Sequence, residues 1–499
     1  MREIKGDARG NRRTLRTALA AHTFVTAAVV GLASPAAAQR EVTLEDALQL
    51  AQLQSRELRV ASARLERSAS SIDEARAALM PQVTTRGRYA HNNREVTLDV
   101  GAELGRTVLG LADAIRAGAG TPSLNASIDD YSRRLSAASG APIVIQKSTQ
   151  LDADIRVVVP LFAPHARDTV TAAQQTHAAQ AADRATTEAD VLLAVAQAFY
   201  AAAAADELVV ARQNAITVAT RTLATAKARV QQGTATNLET LRAQVALDRT
   251  SQAALEAEDV GARAYRTLAT LLDTRESLHA VAPETIAPPT EPVEILVEGA
   301  MRRRPELTFY QRSLDATAAS FRASSTSRAP TISAFGDAQT FNYTGFSGEK
   351  YFWAAGLQLD WQLFDGGTRA ARRRQALAER REYDARLALV RDTIADEVAN
   401  AWRVVGTKRR ALETAGRARE LSRETLRVVR LQYEAGTALQ LDLLAAQDSL
   451  VSAEVAMAQA RFDLSLADLQ LRHDTGLPAS ATTSVAFRIP SQDAHEVMP

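Results

Sequence analysis

The sequence predicts a mainly α fold with a membrane β-barrel: long antiparallel coiled-coil helical hairpins in tandem duplicate, plus four strands per chain. Three observations predict this fold class. A helix-start phrase occurs twice, two segments of more than sixty residues are almost free of helix breakers, and some stretches alternate between apolar and polar side chains. Internal repeats and hydrophobic periodicity are the main sequence signals of such an architecture.

The first 38 residues are predicted to be a signal peptide. Arg12, Arg13 and Arg16 precede the apolar run "TALAAHTFVTAAVVGLA", and small residues follow it up to Ala38. A charged start, a short apolar run and a small-residue cleavage site are typical of export signals. An uncleaved anchor helix is the alternative. We therefore expect an exported chain. At the other end of the sequence, residues 479–499 are expected to form a C-terminal tail.

The composition gives no indication of an enzyme. Cysteine is absent from the 499 residues, so the chain can form neither a disulfide nor a thiolate metal site. The seven histidines lack metal-ligand spacing, and there is no GxSxG motif. The net charge of +1 includes no basic block that would attract nucleic acid. The sequence therefore predicts no catalytic residue, metal site, cofactor or nucleic-acid partner.

Two stretches 203 residues apart predict the same glycine turn followed by a helix. The phrase "VQQGTATNLETLRAQVAL" surrounds Gly233, and "YEAGTALQLDLLAAQDSL" surrounds Gly436. A match of this density within one chain indicates a duplicated structural unit. We expect a first repeat over 39–285 and a second over 286–478, each with a hairpin tip at its glycine.

Long helices are predicted before both tips. Neither Gly nor Pro occurs from His165 to Gln232, a span of 68 residues rich in good helix formers. Such a helix extends about 100 Å. Return helices are expected at about 237–277 and 439–475. Apolar residues of the second long helix recur at steps of three and four, as in a coiled-coil seam: Ile394, Val398, Trp402 and Val405.

Four strands are predicted between the helices. The stretch 351–364, "YFWAAGLQLDWQLF", has apolar and aromatic side chains on one side and mainly polar or small ones on the other. This pattern is typical of a membrane barrel strand. The stretch 151–161 keeps the same alternation, and partner strands are expected after Pro81 and Pro330. An edge strand of a soluble β-sandwich is the alternative.

The repeats differ by an insert in the first half. Matching residues of the two repeats lie 249 positions apart before the first strands and about 202 apart after them. The first repeat therefore contains roughly 47 extra residues, near 99–148. Their short helical patches, separated by Gly, Ser and Pro, predict a long external loop between paired strands. One helix of about 38 residues is expected at 43–80, ahead of the first strand.

Four strands are too few to close a membrane barrel. About eight strands is the minimum, and open sheet edges are not tolerated in lipid. If the strands cross a membrane, the chain must therefore form at least a dimer.

These motifs, in this order and in duplicate, resemble the TolC family of outer-membrane efflux proteins. The strand-to-helix motif "WQLFDGGTRAARRRQA" and the two tip phrases carry the resemblance, which extends from about residue 43 to Gly476. It implies a homotrimer with one shared twelve-stranded barrel in the bacterial outer membrane and a periplasmic helical tunnel. It also implies a periplasmic adaptor and an inner-membrane transporter as partners, and passive export of small toxic compounds or secreted protein.

A periplasmic coiled-coil adaptor, a structural protein of an export complex, is the alternative function. An adaptor would carry one hairpin flanked by Gly-rich, lipoyl-like halves. Two hairpins and duplicated amphipathic strands favour the channel.

The resemblance also implies a gate at the periplasmic end of the tunnel. Asp442 and Glu239 match an acidic ring that gates the tunnel and selects cations, and Tyr433 matches a tyrosine that holds the closed state. Alternatively, Asp442 and Glu239 are acids favoured at helix N-termini by the helix dipole. The chain departs from the family pattern at Ala445 and Ala438, where a second ring acid and a bracing arginine are expected. We therefore expect a less tightly locked tip.

Two further groups of residues follow from the same resemblance. The tip surfaces that an adaptor would contact are Gly233, Thr234, Gly436 and Thr437. Turn chemistry alone is the alternative for these four. The expected aromatic girdle at the membrane interface consists of Tyr351, Trp353 and Trp361, with ordinary strand packing as the alternative.

Overall fold

A computed structural model describes residues 40–98, 100–119, 121–137, 143–281, 291–343 and 349–479. The predicted signal peptide, the predicted boundary between the repeats and the tail beyond residue 479 lie outside the described residues.

Ten helices and eight strands occur within these ranges. In chain order they are β1 (Arg40–Val42), α1 (Leu44–Gln54), α2 (Arg56–Ala77), β2 (Gln82–His91), β3 (Val96–Leu98), α3 (Val100–Ala119), α4 (Pro122–Ala137), β4 (Ile143–Gln146), β5 (Thr149–Phe162), α5 (Pro164–Gln231), α6 (Asn237–Leu271), β6 (Leu278–Ala280), α7 (Val293–Arg303), α8 (Pro305–Thr326), β7 (Thr331–Phe341), β8 (Tyr351–Asp360), α9 (Thr368–Glu434) and α10 (Gln440–Asp474).

The order and lengths of the helices occur twice. The helices α1, α2, α5 and α6 have 11, 22, 68 and 35 residues, and α7, α8, α9 and α10 have 11, 22, 67 and 35. In each set the long helix packs against its return helix, and α8 also packs between α5 and α9. The chain is therefore a mainly helical bundle of two similar hairpins.

The single helix expected at 43–80 is wrong, because the helix breaks at Ser55. Ser55 has an extended backbone (φ −56°, ψ 130°) and begins α2 as its N-cap. Arg304 breaks the second repeat at the matching position, with ψ 121°. Its conformation follows from Pro305, since a proline disfavours the α conformation of the residue before it.

In the described residues, buried apolar side chains form two larger cores and two smaller clusters near the hairpin tips. The first joins α1, α5, α6 and the short parallel pair of β1 and β6, around Phe199 and Leu268. The second joins α7, α9 and α10 around Ile394 and Val398. The predicted seam of α9 is partly wrong, because Trp402 is 40% exposed and Ala401 is buried instead. Steps of 4, 3 and 4 keep residues on one helical face, and starting from Ile394 they lead to Val398, Ala401 and Val405.

The apolar character of α5 also follows from this packing. One 18-residue window of α5 is long and apolar enough to cross a membrane by length and composition alone. The most apolar stretch of the helix, 191–205, contributes Val191, Val195, Phe199 and several alanines to the first core. Core helices of soluble domains have the same composition, so burial in the bundle explains this stretch.

The four longest strands form one antiparallel sheet in the order β2-β5-β7-β8. The registers pair Thr85 with Ile155, Ile155 with Ala338, and Ala338 with Trp353. Among the described strands, β2 and β8 each pair on one side only, so the sheet of a single chain has two open edges there.

The insert is more regular than the predicted loop. Strands β3 and β4 form an antiparallel two-stranded ribbon, and between them lie α3, with 20 residues, and α4, with 16. The glycines that suggested interruptions, including Gly105 and Gly110, lie inside α3. A glycine in a helix costs only about 1 kcal/mol relative to alanine, and apolar residues at three- and four-residue spacing offset this cost.

Candidate functional site

The glycine at each hairpin tip closes its helix in a left-handed conformation. Gly233 has φ +73°, and the Thr234 amide donates to the Arg229 carbonyl at 3.0 Å. The Thr234 hydroxyl donates to the same oxygen at 3.1 Å. Gly436 and Thr437 repeat this arrangement, with φ +76° and distances of 2.8 and 3.0 Å. Glycine is favoured at such a helix end because a side chain is strained at positive φ.

All four of these tip residues are exposed. The turn geometry explains why Gly and Thr occur as a pair, since each residue closes one part of the helix end. The exposed position leaves both turns open to a partner, so an adaptor contact at the tips stays a prediction.

Asp442 lies in the first turn of α10 and faces solvent. Its carboxylate accepts a hydrogen bond from the Leu439 amide at 3.1 Å, and thereby caps the helix. A carboxylate at this position also interacts favourably with the helix dipole. The helix-start interpretation therefore accounts for Asp442 within one chain, while its role in a charged ring stays a prediction.

Tyr433 and Glu239 lie in contact and join the two hairpins. The Tyr433 side chain is 6% exposed, and its hydroxyl donates to the Glu239 carboxylate at 3.0 Å. The Arg229 guanidinium lies over the tyrosine ring, 4.5 Å from the centroid. Burial and the hydrogen bond to Glu239 raise the pKa of Tyr433, so the phenol stays protonated. The contact therefore links α9 of the second repeat to α6 of the first.

Two glutamines that the sequence did not single out strengthen this link. The Gln440 amide donates to the backbone carbonyl of Glu239 at 2.7 Å, and Gln447 donates to the Thr222 hydroxyl at 3.0 Å. Gln440 corresponds to Asn237 in the first repeat, so the repeat gave no signal for it. Only the packing of α10 beside α5 and α6 reveals these contacts.

One face of the sheet is apolar and exposed. In register, Thr85, Ile155, Ala338 and Trp353 lie on the same face of the four strands. The exposed large apolar residues of this face are Val83, Tyr89, Leu151, Ile155, Tyr351, Trp353, Leu357 and Leu359. A broad exposed apolar surface on a sheet indicates contact with lipid or with another protein.

The opposite face of the sheet is charged. The Arg88 guanidinium contacts the Asp152 carboxylate at 2.6 Å, and Arg156 contacts Asp337 at 3.2 Å. The predicted alternation of 151–161 is therefore observed, with its polar side chains on this face. A sheet with one apolar and one charged face can separate lipid from water.

The predicted aromatic girdle is only partly on the strand. Tyr351 and Trp353 are exposed on the apolar face of β8. The strand ends at Asp360, so the prediction that it extends to 364 is wrong. Its partner begins at Thr331, directly after Pro330, which has no amide hydrogen to pair. Trp361 therefore lies beyond the strand, where its indole donates to the Arg328 carbonyl at 3.0 Å.

The strand-to-helix junctions carry exposed apolar pairs that the site prediction missed. Leu363 and Phe364 follow β8, and Leu161 and Phe162 end β5, all of them exposed. These pairs lie 202 residues apart, so the repeat offset could have identified them. Each pair lies between the sheet and the long helix that follows it.

The family profile of the outer membrane efflux proteins matches residues 112–274 and 296–477. The match includes both hairpins and covers well over half of the chain. The chain therefore belongs to the outer membrane efflux protein family. This membership places the protein in the outer membrane, with its helical part on the periplasmic side, and in a family of efflux proteins rather than of enzymes.

One relative agrees with this assignment. The chain is 29% identical to the protein CyaE of Bordetella pertussis over 271 residues, which cover 53% of the chain and 57% of the relative. The chain thus spans just over half the length of that relative.

Solved structures share the fold. The outer membrane channel CmeC of Campylobacter jejuni superposes with a TM-score of 0.67 at 15% identity, covering 88% of this chain and 86% of CmeC. The outer membrane protein VceC of Vibrio cholerae superposes with a TM-score of 0.66 at 17% identity, covering 88% and 97%. At this identity the likeness extends to the fold alone.

Proposed function

We propose that three copies of the chain join their sheets edge to edge into one twelve-stranded barrel in the outer membrane. The helical hairpins then form a periplasmic tunnel that docks on an adaptor and an inner-membrane transporter. The assembly acts as a passive exit duct for small toxic compounds or secreted protein. The observation that carries this proposal is an apolar-faced sheet with two open edges.

The open edges make a single chain unsuitable as a membrane-spanning unit. Unpaired backbone groups in lipid cost several kcal/mol each, so the edges must be paired. Strands β2 and β8 both have 10 residues. The sheet has an even number of antiparallel strands, so β8 of one copy can meet β2 of the next in antiparallel pairing. The charged face of the sheet then lines the pore.

The hairpin tips offer a surface for an adaptor. Exposed leucines surround both glycine turns: Leu238 and Leu241 in the first repeat, and Leu439 and Leu441 in the second. Large apolar side chains exposed together at the end of a helical bundle suit a protein contact. Their presence in both repeats fits an adaptor that binds each hairpin in a similar way.

Purification in detergent, followed by native mass measurement and single-channel recording in planar bilayers, tests the proposal. We expect a trimer that forms stable pores. A soluble periplasmic monomer, recovered without detergent, would contradict the channel and favour the adaptor alternative. Two assays of a deletion strain distinguish the two classes of substrate. Reduced growth on toxic compounds indicates export of small molecules, and loss of proteins from the culture medium indicates protein secretion.

A further inference from the structure

The helical insert, defined here as α3 and α4, occurs in the first repeat at the end of the β2–β5 strand pair. Among the described elements, α3 and α4 pack chiefly on each other. Ala112 is buried in their contact, and Arg116 of α3 forms an ion pair with Asp129 of α4. The two helices therefore form a hairpin of their own, which neither the sheet nor the long helices cover within the described residues.

One side of this hairpin is apolar and uncovered. Its large side chains keep substantial exposed fractions: Leu111 64%, Ile115 40%, Leu124 41% and Tyr131 60%. Leu111 and Ile115 lie on one flank of the buried seam of α3, and Leu124 and Tyr131 lie on the corresponding flank of α4. Because the two helices form a hairpin, these flanks lie on the same side of it. We call these four residues the insert face.

The charges of the insert are balanced within it. The segment 100–137 contains four arginines and four acids. Arg106 pairs with Glu103 at 3.4 Å, and Arg134 pairs with Asp130 at 2.8 Å. Helices that bind a lipid surface usually present unpaired Lys and Arg beside their apolar face. The internal balance thus favours an apolar protein partner over an anionic lipid surface.

The position of the insert identifies that partner. Strands β3 and β4 continue the β2–β5 pair, and the Asn92 amide donates to the Ser148 carbonyl at 2.7 Å where the two ladders meet. The insert is therefore joined through β3 to β2, an open edge of the described sheet. In the proposed trimer, β2 lies at the boundary between neighbouring copies, so each insert begins beside its neighbour at one common mouth.

We infer that the three inserts pack on one another through the insert face and form a helical cap over the outer mouth of the channel. This inference depends on the trimer of the proposed function. Its occupant is the same surface of a second copy. Burying the four apolar side chains between copies removes them from water, which is the main driving force for such an association.

The cysteine-free chain allows a direct test by cross-linking in the detergent-purified trimer. Leu111→Cys is oxidised and, in parallel, treated with a flexible bismaleimide. Ala117→Cys, exposed on the other side of α3, is the matched control. We expect covalent dimers from Leu111→Cys by at least one reagent, at ten or more times the yield of Ala117→Cys.

A second substitution tests whether the cross-link depends on the insert face. In an Ile115→Cys background, Tyr131→Glu should lower the yield of covalent dimers about tenfold, and Ala117→Glu should leave it unchanged. Trimers that give no cross-link above the control would overturn the cap and leave the proposed channel intact. A failure to form trimers would instead count against the proposed function. A spin label at residue 111 that contacts lipid rather than protein would also overturn the cap.

Discussion

Tyr433 gives the second hairpin a specific polar contact with the first, since its hydroxyl donates to Glu239 while its ring packs beneath Arg229. Tyr433→Phe keeps the packing and removes one hydrogen bond. A hydrogen bond to a charged group contributes about 1.5–3 kcal/mol, so we expect the tips to separate more readily. Single-channel recordings should show a larger open fraction. Tyr351→Phe, on the sheet, is the control, and an unchanged open fraction in Tyr433→Phe would contradict a role in closure.

The charge of Asp442 can be separated from its capping role. Asp442 is the third residue of α10, where the amide oxygen of an asparagine can still accept from the Leu439 amide, so Asp442→Asn removes the charge and keeps this hydrogen bond. If three copies form a ring, we expect a lower ratio of cation to anion permeability, measured from reversal potentials. Asp448→Asn, exposed further along α10, should have a smaller effect. Equal effects of the two variants would leave helix capping as the only role of Asp442.

His473 makes the contact between the hairpins depend on pH. Hydrogen bonds to Asp474 (3.2 Å) and then to Asp190 of α5 (2.9 Å) raise the pKa of its imidazole. A pKa raised on folding stabilises the folded state below the unfolded value of about 6.5, and this stabilisation is lost as pH rises through the folded value.

The thermal midpoint of the purified protein should therefore fall as pH rises from about 6 through the folded pKa of His473. His473→Gln should reduce this dependence, whereas His91→Gln, at an exposed strand end, should keep it. A pH profile unaltered in His473→Gln would exclude the contact as the cause.

At the level of elements, two glycines of the second hairpin should respond to alanine with opposite signs. Gly436 has φ +76°, where alanine is strained, so Gly436→Ala should lower the free energy of unfolding by about 1 kcal/mol. Gly406 lies inside α9 with open space around it, so Gly406→Ala should raise this free energy by about 0.5–1 kcal/mol. Thermal unfolding in detergent measures both, and the same sign for both variants would contradict the assignment of the turn.

Helix ends also show where the two repeats diverge. The left-handed residue after α10 is Gly476, and a Cβ there would lie 2.9 Å from the Cβ of Arg303. The matching residue after α6 is Asp273, with φ +50°, and it pairs with Arg56 and Arg59 of α2. The same turn thus lies close against the end of α7 in one repeat, where only glycine fits, and forms ion pairs with α2 in the other.

For the whole molecule, the two faces of the sheet should differ in their tolerance of charge. Trp353 is 70% exposed on the apolar face, and Gln358 lies on the opposite face of β8. If the apolar face contacts lipid, Trp353→Arg should destabilise each protomer by about 2–4 kcal/mol, and Gln358→Arg should cost little. The temperature at which the assembled protein dissociates, measured on gels, compares the two variants. Equal tolerance would argue against a lipid-facing surface.

The sequence alone predicted the two hairpins, both glycine turns, the alternating strands and the family, because these features depend on local periodicity and on an internal repeat. It missed the breaks at Ser55 and Arg304 and the end of β8 at Asp360, because these depend on capping and on the partner strand. It also missed Gln440 and Gln447, since a hydrogen bond across helices leaves no periodic signal.

The sequence by itself therefore determined the two hairpins with their long helices, and the apolar and polar sides of the alternating strands. Only the tertiary structure decided that Tyr433 contacts Glu239 while Asp442 caps its own helix, and that the insert is a helical hairpin with one uncovered side. The physical reason is the difference in sequence separation between the interacting residues. Helix and strand patterns arise from neighbours a few residues apart, whereas these contacts join segments that only packing brings together.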